Sequence, residues 1–128
     1  MADSGLRVLL VDDNIDSTEP LSLLLQAKGH QTRVAIEGEE AIALASDFHP
    51  NCVVLDLGLP GMDGYEVARR LRERHGADVT LVALTGWAGK EVRAKAAAAG
   101  FDYHLVKPVD WEELEHIVTA EGGQSRLR

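Results

Sequence analysis

The chain has 128 residues, the size of one globular domain, and its formal net charge is 13 − 21 = −8. An acidic surface repels nucleic-acid phosphates and anionic lipids, and the sequence has no basic patch large enough to overcome that repulsion, so neither is expected as the main partner. It has no apolar run near the roughly 18 residues of a membrane span, no signal-peptide pattern and a single cysteine in an apolar run, which together predict a cytoplasmic protein.

Short apolar runs alternate with segments of helical periodicity along the chain. The predicted strands are, in order, residues 6–11, 30–36, 52–57, 79–84 and 101–106. Apolar side chains at helical spacing lie between them at residues 21–25, 41–45 and 67–71 and in an alanine-rich stretch at 92–99, and a last helix is predicted at 111–120. Gly29, Gly76 and Gly100 each follow a helical segment and precede a strand, as helix-ending glycines do.

Strict alternation of five strands with five helices predicts an α/β domain with a doubly wound parallel sheet in the order 2-1-3-4-5. A barrel of eight repeats would need about 200 residues or more. Pro20 predicts that the first helix either begins near Thr18 or has a kinked first turn. The domain is expected to span residues 1–121, and residues 122–128, which lack periodicity, are expected to form a flexible tail or linker stub.

Polar residues follow four of the predicted strands. Asp12 and Asp13 follow the first, Asp56 lies at the end of the third, Thr85 follows the fourth and Lys107 follows the fifth. In this topology ligands bind beyond the carboxyl ends of the strands, at the reversal point between strands 1 and 3. We therefore expect three carboxylates, one hydroxyl and one ammonium group to line a single crevice.

Three carboxylates and one lysine carry a formal charge of −3 + 1 = −2, which favours binding of a divalent cation. All candidate ligands are oxygen atoms, a set typical of Mg²⁺, for which Mn²⁺ can substitute. Asp56 is the central carboxylate, so it is the candidate nucleophile toward phosphorus, forming an aspartyl phosphate. Such an energy-rich modification suits a conformational switch.

The same residues resemble a known family. Asp12-Asp13, Asp56 with the following Leu-Pro-Gly-Met-Asp-Gly at 59–64, Ala-Leu-Thr-Gly at 83–86 and Lys-Pro at 107–108 resemble the receiver domain of bacterial two-component response regulators. The resemblance covers about residues 6–120 and implies the flavodoxin-like (βα)5 fold. It also implies a signalling switch that assists its own phosphorylation and dephosphorylation, rather than an enzyme.

The resemblance assigns roles to individual residues. Asp56 would accept a phosphoryl group from a phosphohistidine on a sensor histidine kinase or a histidine phosphotransfer protein. Asp13 and Asp56 would bind Mg²⁺ directly together with the backbone carbonyl of Gly58, and Asp12 would act through water.

Two further roles concern the phosphorylated state. Thr85 would bond one phosphoryl oxygen and Lys107 would pair with another, and the Lys107-Pro108 bond is expected to be cis. These contacts would pull the loops after strands 4 and 5 inward. The face formed by helix 4, strand 5 and helix 5 would then recognise a downstream protein, and the sequence leaves homodimerisation open.

Two positions depart from the family pattern. Three residues before the lysine, the family usually has Tyr or Phe as a rotating switch, whereas this chain has His104, with Tyr103 on the opposite face of the strand. His104 and residues 105–110 resemble receivers attached to hybrid histidine kinases. Gly58 and Trp87 occupy positions that often carry water-handling polar groups, which predicts slow self-dephosphorylation.

Other interpretations of the acidic crevice, of the tryptophans and of the whole chain remain. A receiver-like scaffold that mediates protein interactions without phosphorylation is the main alternative function. A nucleotide or flavin site is disfavoured because Asp12 and Asp13 would repel a phosphate. Trp87 and Trp111 are either partly buried anchors at helix starts or partner contacts. The chain could be a free-standing regulator, a phosphorelay shuttle or a domain of a hybrid kinase.

Overall fold

The computed structural model describes residues 5–119, in which five strands alternate with five α-helices. They are β1 (Arg7–Val11), α1 (Ile15–Ala27), β2 (Gln31–Ala35), α2 (Gly38–Phe48), β3 (Cys52–Asp56), α3 (Gly64–His75), β4 (Thr80–Thr85), α4 (Lys90–Ala99), β5 (Tyr103–Val106) and α5 (Trp111–Thr119). The sheet is parallel, with the order β2-β1-β3-β4-β5, so the predicted fold is confirmed. The predicted tail at 122–128 lies outside the described residues.

The three central strands are apolar along their length because helices cover both faces of the sheet. Every residue of β3 and β4 is buried, as are the last four of β1, whereas the edge strand β2 is only partly buried. Within the described part of the chain, no helix is both long enough and apolar enough to cross a membrane.

Alternate side chains of each strand enter two separate cores. On one face, Leu9 and Leu81 pack with residues of α2, α3 and α4, including the fully buried Leu71. On the other face, Leu10 packs with residues of α1 and α5, including Leu114. Helices therefore pack against both faces of the sheet that carries the site.

The first helix begins at Ile15, so the first of the two predicted alternatives, a start near Thr18, is wrong. Asn14 caps the helix, and its side-chain oxygen accepts the Asp16 N–H at 3.0 Å. This cap stabilises the first turn ahead of Pro20, which lies inside the helix and cannot donate a backbone hydrogen bond. The early start keeps the capped turn directly beside the residues that follow β1.

A buried ion pair closes the opposite edge of the sheet. The Asp102 carboxylate is fully buried, and its Oδ2 accepts hydrogen bonds from Arg72 Nη2 at 2.8 Å and from the Leu81 N–H at 3.0 Å. Arg72 also donates to the backbone carbonyls of Gly100 and Val79. One guanidinium thus joins the end of α3 to the segments that lead into β4 and β5.

We expect Arg72→Ala to lower the free energy of unfolding by about 3–5 kcal/mol, because it removes the guanidinium that pairs with the buried Asp102 carboxylate. Urea unfolding followed by circular dichroism measures the change. Arg70→Ala is the matched control, since Arg70 pairs with Glu66 at the exposed surface and its loss should leave the free energy of unfolding nearly unchanged. Equal losses in the two variants would contradict the assignment.

Candidate functional site

The predicted acidic residues meet at the carboxyl edge of the sheet, where β1 and β3 lie side by side. Asp12 directly follows β1 and Asp56 is the last residue of β3. One oxygen from each of Asp12, Asp13 and Asp56 lies within 4.8 Å of the other two. This is the reversal point of the strand order, so the predicted position of the crevice is confirmed.

Burial divides the three carboxylates into two classes. Asp12 and Asp56 are only 2% and 6% exposed, whereas Asp13 is exposed. The site is therefore a pocket with two desolvated carboxylates at its base and one at its solvent-facing rim. An ion or a phosphoryl group can enter from the Asp13 side without displacing the core.

Lys107 lies between the two buried acids. Its Nζ donates a hydrogen bond to Asp56 Oδ2 at 3.1 Å and lies 3.3 Å from Asp12 Oδ2. Its backbone N–H donates to the Thr85 carbonyl at 2.8 Å, which holds the residue against the end of β4. The Lys107-Pro108 peptide bond is cis, as expected.

Backbone N–H groups fix the remaining carboxylate oxygens. Asp12 Oδ1 accepts the Asn14 N–H at 3.0 Å, and Asp56 Oδ1 accepts the Gly58 N–H at 2.9 Å. Each bond spans two residues, so each acid is oriented by the loop that immediately follows it. The local turn chemistry therefore holds both buried carboxylates before any ligand binds.

The loop after β3 depends on Gly64. A Cβ added there would lie 2.9 Å from the Leu57 Cα, closer than real Cβ contacts, and 3.2 Å from the Asp56 carbonyl oxygen, which is tighter than most. The absence of a side chain lets the start of α3 pack against the backbone that carries Asp56. Gly64 is a positioning residue, which the sequence analysis named only as the last residue of the 59–64 segment.

The charges in this pocket shift two pKa values. Burial raises the pKa of Asp12, and the negative charge of Asp56 raises it further against the opposing Asn14 hydrogen bond and Lys107. Burial alone would lower the pKa of Lys107, but the hydrogen bond with Asp56 and the charges of Asp56 and Asp12 outweigh it, and the pKa is raised. The surroundings of Asp12 thus disfavour its charged form, whereas those of Lys107 favour its charged form.

These features suit a hard divalent cation. The pocket presents only oxygen donors from Asp12, Asp13 and Asp56, its formal charge is −2, and Asp12 Oδ2 accepts no hydrogen bond from the described residues. A divalent cation would bring the formal charge to zero. The donor set and the charge therefore fit Mg²⁺.

Thr85 and His104 lie on the neighbouring strands. Thr85 is the buried last residue of β4, and its hydroxyl oxygen accepts the Trp87 N–H at 3.1 Å instead of contacting a carboxylate. His104 is half-buried and lies on the face of β5 opposite Tyr103, as predicted. Burial lowers the pKa of His104, and the charge of Arg93 lowers it further. Thr85 and His104 border the acidic pocket without bonding to it.

The two tryptophans have different environments. Trp111 begins α5 and packs partly buried against the core, which confirms an anchoring role. Trp87 is 75% exposed, so the reading of it as a partly buried anchor is wrong. The reason is its place in the loop between β4 and α4, two residues beyond the sheet, where no helix packs over it.

The features that sequence reasoning missed are contacts between residues far apart in the chain. Lys107 pairs with Asp12 as well as with Asp56, and the side chains of α1 and α5 leave a cleft of about 570 Å³ whose lining includes Asp12 and Lys107. No local sequence pattern predicts either the contact or the cleft. The only available signal was the shared placement of Asp12 and Lys107 at strand ends.

Comparisons with known proteins agree with this geometry. The family model for the response regulator receiver domain matches residues 8–119. An uncharacterized 14.6 kDa protein from the sodA1 3' region of Leptolyngbya boryana is 38% identical over 87% of this chain and 86% of its own length. The two-component response regulator PhoP of Pseudomonas aeruginosa is 34% identical over 90% of this chain but only 51% of its own length. The chain therefore spans about half the length of some relatives and most of others.

Solved structures show the same fold. The chemotaxis response regulator CheY4 of Vibrio cholerae superposes with a TM-score of 0.83 at 28% identity, covering 91% of this chain and 98% of that one. The BeF3-activated DrrB receiver domain gives a TM-score of 0.80 at 28% identity over 90% of this chain and 95% of its own. The chain belongs to the family of response regulator receiver domains, the phosphoacceptor modules of two-component signal transduction.

Proposed function

We propose that Asp56 is the phosphoacceptor of this receiver domain and that its donor is a phosphohistidine on a sensor histidine kinase or a histidine phosphotransfer protein. The observation that carries the assignment is the position of Asp56. It lies at the centre of the acidic cluster, with one oxygen fixed by Gly58 and the other by Lys107. Within residues 5–119, hydrogen bonds reach both oxygens of Asp56 but only Oδ1 of Asp12.

In the transfer, an Asp56 carboxylate oxygen forms a bond to phosphorus while the bond from phosphorus to the imidazole nitrogen breaks. The leaving imidazole keeps the electron pair of that bond. The product is an aspartyl phosphate, and Lys107 is free to move its hydrogen bond from Asp56 Oδ2 to a phosphoryl oxygen. Lys107 is suited to this role because its raised pKa keeps it charged.

Asp13, Asp56 and the Gly58 carbonyl would hold Mg²⁺, with Asp12 acting through water, and Mn²⁺ could replace it. The ion would neutralise charge on the phosphoryl oxygens during transfer. The carboxylates' own contribution is to present oxygen donors from two adjacent strand ends on one side of Asp56. Lys107 and Thr85 would supply the hydrogen bonds to the phosphoryl oxygens.

Switching would begin at Thr85. A new hydrogen bond from its hydroxyl to a phosphoryl oxygen would draw in the loop that carries Trp87, whose N–H already bonds the Thr85 oxygen. His104, on the adjoining strand, would adjust with it in place of the usual aromatic residue. The exposed Trp87 and Val106 lie beside this path, so the α4–β5–α5 face is the proposed surface for the downstream protein.

This mechanism describes a switch and not an enzyme with turnover. The domain supplies the groups that assist phosphorylation and dephosphorylation of its own Asp56. We also propose a cytoplasmic location, which the single buried thiol of Cys52 supports. Residues 1–121 would form the working domain. We further propose that the phosphorylated domain forms a homodimer, which gel filtration of the phosphorylated protein tests.

Incubation with acetyl phosphate and Mg²⁺ should add the mass of one phosphoryl group to the wild-type protein and none to Asp56→Asn. Intact-protein mass spectrometry measures the gain. Asp63→Asn is the matched control, because Asp63 caps α3 in the same loop and lies outside the acidic cluster. Labelling of Asp56→Asn would contradict the assignment, and failure of wild type with both acetyl phosphate and a phosphohistidine donor would favour the non-phosphorylated scaffold.

Asp13→Asn should weaken Mg²⁺ binding by about tenfold or more, since it removes a ligand at the rim of the site. Calorimetric titration measures the affinity, and Asp16→Asn is the control because Asp16 is an exposed acid outside the cluster. The affinity should also fall as the pH is lowered, because Asp12, with its raised pKa, is protonated first. A pH-independent affinity, or equal loss in Asp16→Asn, would argue against this metal site.

The phosphorylated protein should persist for minutes or longer without a phosphatase, because neither Gly58 nor the outward-facing Trp87 can orient an attacking water. Gly58→Asn should shorten the lifetime several-fold. A Cβ there would lie 3.5 Å from Asp56 Oδ1, so the pocket tolerates the change. Asp63→Asn, in the same loop and outside the acidic cluster, serves as the control. A wild-type lifetime of seconds would refute the idea.

A further inference from the structure

His104 lies where β5 meets α4. It is on the face of β5 opposite Tyr103, which is the face toward α4. The Nε2 atom of its ring is buried and has no hydrogen-bond partner among the described residues. In the neutral ring Nε2 can be an unprotonated lone pair, whereas in the imidazolium it is an N–H donor with part of a positive charge. Burial without an acceptor therefore penalises the protonated ring more than the neutral one.

The charges around His104 also oppose its protonation. Across the contact, the positive charge of Arg93 on α4 acts on the ring, and the register partner of His104 on β4 is the uncharged Ala83. The Trp87 backbone, in the loop between β4 and α4, favours the charged ring, but burial and Arg93 outweigh it and the pKa of His104 is lowered. The remaining charged residues of α4 are exposed: Lys90, Glu91 and Lys95. Among residues 5–119, no carboxylate thus compensates a positive charge on His104.

The first half of α4 is weakly attached to the rest of the domain. From Lys90 to Lys95 only Val92 is partly buried, and the buried residues of the helix, Ala96 and Ala99, lie in its second half. The N-cap is Gly89, which has no side chain to accept a hydrogen bond from the first turn. The positive end of the helix dipole lies in the same half and disfavours an imidazolium there. This half of the helix can therefore move while the core keeps its packing.

We propose that protonation of His104 loosens the contact between β5 and α4. The neutral ring packs beneath the first half of α4, whereas the imidazolium turns toward solvent and releases that half together with the Trp87 loop. Acid and phosphorylation then act on the same segment, because the Trp87 loop is the one that Thr85 is proposed to draw inward. The acid response itself needs no phosphoryl transfer, and only its effect on a downstream protein rests on the proposed function.

Hydrogen exchange in the unphosphorylated full chain, followed by NMR, tests the loosening. Between pH 7.5 and 5.5 the protection factors of the Ala94 and Lys95 amides, corrected for the intrinsic pH dependence of exchange, should fall several-fold. The upper limit is about tenfold, which is the effect of an exposed imidazole of pKa about 6.5 that takes up its proton only when α4 is displaced. Amides of α2, which packs against β1 and β2, are the internal reference and should keep their protection.

Variants at His104 and on α4 locate the effect. His104→Phe keeps an aromatic ring that cannot be protonated, so the pH dependence of α4 protection should disappear. The α2 amides report whether this variant is folded, and His104→Gln makes the same comparison if it is not. Arg93→Gln removes the opposing charge, so the NMR titration midpoint of the His104 ring should rise, whereas Lys90→Gln, at an exposed position of the same helix, should leave it unchanged.

Four outcomes would overturn the proposal. Two concern exchange: α4 protection that does not change with pH in the wild-type protein, or that changes equally in the variant without His104. The other two concern the ring: a His104 midpoint at or above the ordinary value of about 6.5, or equal midpoints in Arg93→Gln and Lys90→Gln. Each of these results leaves the phosphorylation of Asp56 untouched, so the failure of this proposal and the failure of the proposed function are separate.

Discussion

Repulsion among three carboxylates at one sheet edge is the constraint on which this domain depends. Two of them, Asp12 and Asp56, are buried, and a single ammonium group, that of Lys107, lies between them. One lysine cannot neutralise three acids, so the pocket is built to gain from an added cation and then to accept a phosphoryl group. The metal-free domain thus has an unfavourable charge distribution that its ligands relieve.

The same crowding of charges explains why the backbone around the carboxylates is held by so many specific contacts. Each buried acid is held by an N–H from the loop that follows it, and the loop after β3 approaches α3 so closely that Gly64 has no room for a side chain. Holding like charges together requires such external support, because the acids themselves would separate. The β4 and β5 ends carry no acids in the cluster, and their residues Thr85 and His104 are the proposed switch residues.

The fold and the central site could be predicted because both follow from local patterns. A buried parallel strand is a continuous apolar run, and polar residues placed at several strand ends must converge at one edge. Of the two alternatives predicted for α1, the start near Thr18 was wrong because the Asn14 cap stabilises a helix start ahead of Pro20. The exposure of Trp87 and the pairing of Arg72 with Asp102 were not predictable, since each depends on how distant segments pack.

The Arg72–Asp102 pair lies at the amino edge of the sheet, opposite the acidic pocket, and joins α3 to the segments leading into β4 and β5. These strands are therefore fastened at one end and carry Thr85 and His104 nearer the other. In the proposed switch the fastened end would serve as a pivot, so that small displacements of Thr85 or His104 would become rotations of the strand ends. The change would then reach the proposed output face while the hydrophobic core keeps its packing.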